Sequence, residues 1–122
     1  MRKYLVLLFA SILLLAACSS KASYEDIDNE TAQKLIEDHK VEVIDVRTAE
    51  EFAEGRIPVA TLLPLNELEA RISELDKDKS YLFVCRSGNR SSQAAQILID
   101  NGFKNVYNLT TGMNQWPYDI EK

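Results

Sequence analysis

Tyr81-Leu82-Phe83-Val84-Cys85-Arg86-Ser87-Gly88-Asn89-Arg90-Ser91 is the stretch that decides the fold. Its first four residues are an apolar run of strand type, and from Ser91 to Asn101 the pattern turns helical. Ala94, Ala95, Ile97, Leu98 and Ile99 gather on one side of that helix, and Gly102 stops it. Cys85 therefore stands at the C-terminal tip of a buried strand, on a tight loop that feeds a helix N-terminus. An open α/β sheet places its ligand crevice at such a tip. Unpaired N–H groups and the helix dipole favour an anion there. Stabilising a thiolate by about 2.7 kcal/mol takes its share at neutral pH from a few per cent to a majority. Most lone cysteines are buried structural residues, but a polar, glycine-containing loop with two arginines argues for a reactive one.

The rest of the chain repeats the strand-to-helix alternation. Val41 to Val46 is a β-branched run with few polar interruptions, as a strand covered on both faces requires. Asp28 predicts the N-cap of a helix over Asn29 to Asp38, with Ala32, Leu35 and Ile36 inward and His39-Lys40 closing it. Thr48 predicts the cap of a short helix, with Glu51 as its capping-box partner, Phe52 as its core contact and Gly55 as its end. Ala60 to Leu62 reads as a short strand. Asn66 predicts the start of a helix that turns Leu68, Ile72 and Leu75 inward, before a solvated turn at Asp76 to Lys79. Val106 to Leu109 is the last strand, and Thr110 to Met113 leads into a helical piece carrying Trp116 and ended by Pro117. This alternation implies an α/β fold: a small parallel sheet flanked by helices on both faces. One domain over residues 24–120 accommodates it, with no repeat or second domain.

Composition narrows the partners. Hydrophobic content of 46 % and charge of 27 % describe an ordinary globular chain of 122 residues. The formal net charge is -5; without residues 1–17, which carry Arg2 and Lys3, 12 basic side chains face 19 acidic ones, or -7. An acidic domain without a basic stripe excludes nucleic acid as a partner. It also repels anionic lipid headgroups, so membrane attachment would have to be covalent.

The N-terminus offers such an attachment. Arg2 and Lys3 precede an apolar run from Tyr4 to Leu15, too short for a comfortable membrane span but suited to a signal peptide. Leu15-Ala16-Ala17-Cys18 resembles the bacterial lipobox. That resemblance implies a lipoprotein signal peptide over residues 1–17 and a diacylglyceryl group on Cys18. Residues 18–23 become the lipidated tether, and two or more acyl chains give stable anchoring. The domain is then expected outside the cytoplasm, anchored to the bacterial cell membrane or the outer membrane. An ordinary secretory signal cut nearby is the other reading. With Cys18 lipidated, Cys85 is left as a free thiol in an oxidising compartment, a liability unless it has chemistry to perform.

Three stretches together resemble the rhodanese, or thiosulfate sulfurtransferase, family. They are Asp45-Val46-Arg47-Thr48-Ala49-Glu50-Glu51-Phe52 followed by Gly55-Arg56-Ile57-Pro58, then Cys85 to Ser91, then Gly112-Met113-Asn114-Gln115-Trp116. The resemblance spans Tyr24 to Trp116 and implies a single-domain rhodanese fold. It further implies that a Cys85 thiolate takes a sulfane sulfur from a small donor such as thiosulfate, becoming a persulfide. Cyanide or a thiol then removes that sulfur, with no cofactor. Arg86, Ser87, Gly88, Asn89, Arg90 and Ser91 would line the substrate site, their amides turned toward the sulfur in the manner of an oxyanion hole. Gly88 would permit the positive φ or close approach this needs. Arg86 suits the oxygens of the donor.

Arg90 has two roles open to it: contact with substrate, or an inward pair with Asp45 or Glu51. Asp45, Arg47 and Glu51 read as braces for the loop, and Trp116 as a core anchor. Arg56 stands where many members have His, and Val59 where Gly is usual; Arg56 is expected to add positive charge at the pocket rim, which puts substrate preference in doubt. Two other functions compete. A Cys-dependent phosphatase needs five residues between Cys and Arg, whereas four separate Cys85 from Arg90. A non-catalytic module could sense sulfur or redox state at the envelope. Metal binding fails on inventory, because His39 is the only histidine and is expected to face solvent. The domain is expected to be a monomer.

Overall fold

The computed structural model describes residues 22–122, so the expected signal peptide, Cys18 and most of the tether lie outside the described residues. Nine elements follow in chain order: β1 (Glu25–Ile27), α1 (Asn29–Glu37), β2 (Glu42–Asp45), α2 (Ala49–Glu54), β3 (Thr61–Leu62), α3 (Leu65–Arg71), β4 (Tyr81–Val84), α4 (Asn89–Asp100) and β5 (Val106–Leu109). Short 3-10 turns at Ile72–Glu74 and Met113–Gln115 complete them. The strands form one sheet in the order β1-β5-β4-β2-β3, and every pairing is parallel. This is the small parallel α/β sheet, with helices on both faces, that the sequence predicts. All five C-terminal strand ends therefore share one edge of the sheet.

Alternation of side chains along β4 divides the core. Tyr81 and Phe83 point to the face covered by α3 and α4, together with Val46, Leu68, Leu98 and Cys85. Leu82 and Val84 point to the other face, against Ala32 of α1 with Ile27 and Ile57. All four β4 side chains are buried, which is why the strand reads as an unbroken apolar run rather than an alternating one. Burying each large apolar side chain contributes roughly 1.5–3 kcal/mol. Asp45 lies in register with Val84, so the segment leaving β2 stands beside the segment leaving β4.

Several local expectations are corrected. The strand at β1 went unread: it is three residues long, two of them acidic and exposed, and only its pairing to β5 defines it. α3 starts at Leu65 behind Pro64 and uses no side-chain cap, so Asn66 is not its cap. The Leu65 N–H donates to the Val46 carbonyl at 3.0 Å, and Pro64 has no N–H to satisfy. α4 begins at Asn89, two residues before the expected start, because Gly88 in the left-handed region serves as its cap residue. Phe52 is half-buried rather than a core contact; the Arg56 guanidinium lies 4.8 Å from its ring centre. Arg56 also exchanges main-chain hydrogen bonds with Glu121 at 2.9 and 2.8 Å, which ties the C-terminus to the turn after α2. The caps at Asp28 and Thr48, including the Thr48–Glu51 capping box, are where the sequence puts them.

Candidate active site

Cys85 is the first residue beyond β4 and is only 1 % exposed. Its Sγ accepts hydrogen bonds from the main-chain N–H of Gly88 at 3.1 Å and of Ser91 at 3.3 Å. Ser91 Oγ stands 3.3 Å away, in reach for its O–H to donate to a thiolate. Burial pushes the thiol up, but the Ser91 hydroxyl and the amides of Ser91, Ser87 and Gly88 outweigh it and leave Cys85 below its ordinary value. The sulfur is thus buried among donors.

The loop faces inward because it is held from behind. The Met113 N–H donates to the Cys85 carbonyl at 2.8 Å, and the Asn114 N–H to the Arg86 carbonyl at 3.0 Å. A peptide is planar and trans, so drawing the Arg86 carbonyl backward turns the Ser87 N–H forward, toward the sulfur. Two glycines make the fit possible. Gly88 has φ +96, and a Cβ there would overlap the Thr110 carbonyl oxygen. Gly112 has φ +66, and a Cβ there would overlap the Arg86 carbonyl and lie 2.7 Å from the Ser87 nitrogen. In the sequence, Thr110 to Met113 is a turn and Gly112 to Trp116 part of the family resemblance; neither shows that the Met113 and Asn114 N–H groups hold the Cys85 loop from behind.

Glu51 organises the rim. Arg90 donates to it twice, at 2.8 and 3.0 Å, and Arg86 Nε once, at 3.2 Å. The Thr48 N–H and hydroxyl donate to the same carboxylate. Arg90 and the Thr48 N–H hold Glu51 well below the usual carboxylate range against the opposing effect of burial. Glu51 in turn raises Arg90, and the charge of Cys85 adds to that. Two guanidiniums against one carboxylate leave one net positive charge beside the sulfur. The Arg86 side chain is 60 % exposed and holds Glu51 by that single contact, whereas Arg90 is half-buried.

Arg90 therefore meets Glu51 and not Asp45. Asp45 pairs instead with Arg47, which donates to it from Nε and Nη2 and from its main-chain N–H, and Arg47 Nη2 reaches the Gly55 carbonyl at 2.7 Å. Both residues are buried, so the pair locks the tip of β2 to the end of α2. Asn89 and Ser87 are exposed, and Asn89 Oδ1 accepts from Gln93 one turn along α4. Trp116 packs against the Val84 face of the core, with its Nε1 donating to the Asp119 carbonyl. Arg56 lies over the Phe52 ring and its Nη1 donates to the Phe52 carbonyl at 3.4 Å. Among the described residues no group of three His, Cys, Asp or Glu is placed to hold a metal ion.

The rhodanese-like domain family matches residues 28–118, which include Cys85, its loop and the Asp45, Arg47 and Glu51 braces. The chain belongs to the rhodanese-like family. Among similar proteins, a sulfurtransferase of Allochromatium vinosum is 40 % identical over 92 residues, 75 % of this chain and 86 % of that protein. The thiosulfate sulfurtransferase GlpE of Coxiella burnetii is 32 % identical over 93 residues, 76 % of this chain and 87 % of that one. The crystal structure of a rhodanese-like domain protein from Staphylococcus aureus matches with a TM-score of 0.73 at 31 % identity, covering 80 % of this chain and 96 % of that one. A single rhodanese-like domain with sulfurtransferase relatives is thus what surrounds Cys85.

Proposed function

We propose that this rhodanese-like protein is a sulfurtransferase that carries a sulfane sulfur on Cys85. The observation that carries the reading is the convergence of the Gly88 and Ser91 amides on Sγ, with the Ser91 hydroxyl beside them. The Cys85 thiolate attacks the outer sulfur of thiosulfate; the S–S bond of the donor breaks, sulfite leaves, and Cys85 becomes a persulfide. A cyanide ion or a thiolate then attacks the outer sulfur of that persulfide, leaves as thiocyanate or as a new persulfide, and restores the Cys85 thiolate. This is covalent, two-stroke catalysis. The donors that stabilise the thiolate equally suit the anionic persulfide. The net positive rim favours entry of an oxyanion, and Arg86, with one contact to release, is the side chain placed to meet it.

The same proposal covers the N-terminus. Residues 1–17 serve as a lipoprotein signal peptide and a lipid on Cys18 holds the domain outside the cytoplasm, supported by the Leu15-Ala16-Ala17-Cys18 pattern.

Steady-state kinetics with thiosulfate and cyanide test the enzymatic reading. Parallel double-reciprocal lines, with thiocyanate formed by wild type and none by Cys85→Ser, are expected. Thiocyanate formation that survives in Cys85→Ser would overturn it.

A further inference from the structure

Beside the Cys85 loop lies a cleft of about 310 Å³. Its walls are the segment after β2 (Val46 to Thr48), the start of α3 (Pro64 to Asn66) and, on the third side, Arg90. It opens at the sheet edge where Cys85 sits, and Val46 and Leu65 pack in the same apolar cluster as Cys85. Arg90 is common to both sites: it forms a wall of the cleft, and the next residue delivers its N–H to Sγ.

The cleft carries no uncommitted charge. Both Nη atoms of Arg90 are held by Glu51, and the Arg47 guanidinium is held by Asp45 and the Gly55 carbonyl. The Thr48 hydroxyl is engaged in its capping box. What remains on the walls is mainly the aliphatic surface of Pro64 and Leu65, with the buried Val46 as the floor. Such a surface offers nothing to thiosulfate or cyanide, which are small hydrophilic ions with a handful of heavy atoms. Its volume is at the lower end of clefts that hold an organic ligand.

We propose that this cleft is the acceptor subsite, holding the uncharged aliphatic body of an organic thiol whose sulfur reaches the Cys85 persulfide. The inference rests on the sulfur-transfer reading above. In the step it serves, the acceptor thiolate attacks the outer sulfur, the Cys85 S–S bond breaks, the acceptor departs as a persulfide, and Cys85 returns as a thiolate. Carbon chain laid along Pro64 and Leu65 leaves water during this step, so longer acceptors react faster at equal thiol acidity.

The test uses protein loaded with thiosulfate and freed of excess donor. Loss of the loaded sulfur is followed by mass with 2-mercaptoethanol, mercaptobutanol and mercaptohexanol, whose formulas differ only in methylenes, with rates expressed per thiolate so that their different acidities drop out. The second-order rate is expected to rise roughly fourfold for each methylene that leaves water, and at least tenfold across the series. In Asn66→Trp, where an indole introduced at an exposed position fills the cleft, the dependence on chain length is expected to vanish. Should that variant not load, Leu65→Ala, which removes an apolar wall, is read for a shallower dependence. A flat series in wild type, or a slope unchanged by both variants, overturns the subsite while leaving sulfur transfer intact. Wild type that takes up no sulfur overturns both.

Discussion

The main-chain N–H of Met113 donates to the carbonyl of Cys85 at 2.8 Å, across a contact in which Gly112 lies against the next peptide of the loop. The segment after β5 thus sets the direction in which the loop's amides point. Substituting Gly112→Ala would drive a Cβ into the Arg86 carbonyl at a φ of +66 that side chains rarely adopt. The expected result is a protein that folds with about 1–3 kcal/mol less stability but loses sulfur transfer by a larger factor than that loss explains. Thermal unfolding and thiocyanate assays on one preparation compare the two.

Ser91→Ala removes one charge-assisted hydrogen bond from the sulfur. Cys85 is an acid whose folded-state value is lowered. Its stabilisation is therefore present above the ordinary thiol range and lost as pH falls through the folded value. On the acid side of that value the variant is expected to react with thiosulfate roughly tenfold more slowly, for a bond worth about 1.5 kcal/mol. At alkaline pH, where both proteins are ionised, the rates converge. A pH profile of the loading rate measures this.

Glu51→Ala removes the return half of the capping box of α2, leaving the Thr48 cap itself, and frees both Arg86 and Arg90. The expected cost is about 2–3 kcal/mol at neutral pH, from the lost hydrogen bonds between charged groups. Glu51 is held below the usual carboxylate range, so its contribution is full above about pH 4.3 and is lost as pH falls through its lower folded-state value. Urea unfolding of wild type and variant should accordingly converge toward acid pH.

Topology orients the proposed anchor. β1 runs parallel to β5 and β4, so the chain from Cys18 enters at the N-terminal edge of the sheet while Cys85 stands at the C-terminal edge. Register places Tyr24 about four residues, or roughly 13 Å, behind Cys85 along the strands. On the proposed anchoring, the tether joins the domain at the sheet edge opposite the thiol. Membrane-bound protein and a soluble form from residue 22 are expected to load from aqueous thiosulfate within about twofold of each other, one net pocket charge being little perturbed at that distance by lipid. Cys18→Ala is expected to release the protein from the membrane fraction, as fractionation and blotting would register.

What is legible in the sequence is what neighbouring residues decide. The apolar run Tyr81 to Val84, the Asp28 cap and the Thr48–Glu51 capping box are each specified within a few positions, and each is in place. β1 escaped because Glu25-Asp26-Ile27 has no periodicity of its own and exists through a partner about 80 residues away. Between Asp45 and Glu51 as partners for Arg90 the sequence left a choice. The register of β2 with β4 and the fork of Arg47 onto Asp45 make it, and both are tertiary facts. Gly112 belongs to the third stretch of the family resemblance, but its use as a close-packed support for the Arg86–Ser87 peptide depends on where two distant loops meet.

The most direct test of the central claim is the intact mass of purified protein before and after thiosulfate, for wild type and Cys85→Ser. The account expects wild type to gain one sulfur atom, lost again on adding a thiol, and the variant to gain none. Wild type of unchanged mass, or an equal gain in the variant, would contradict a loop built to hold a persulfide on Cys85.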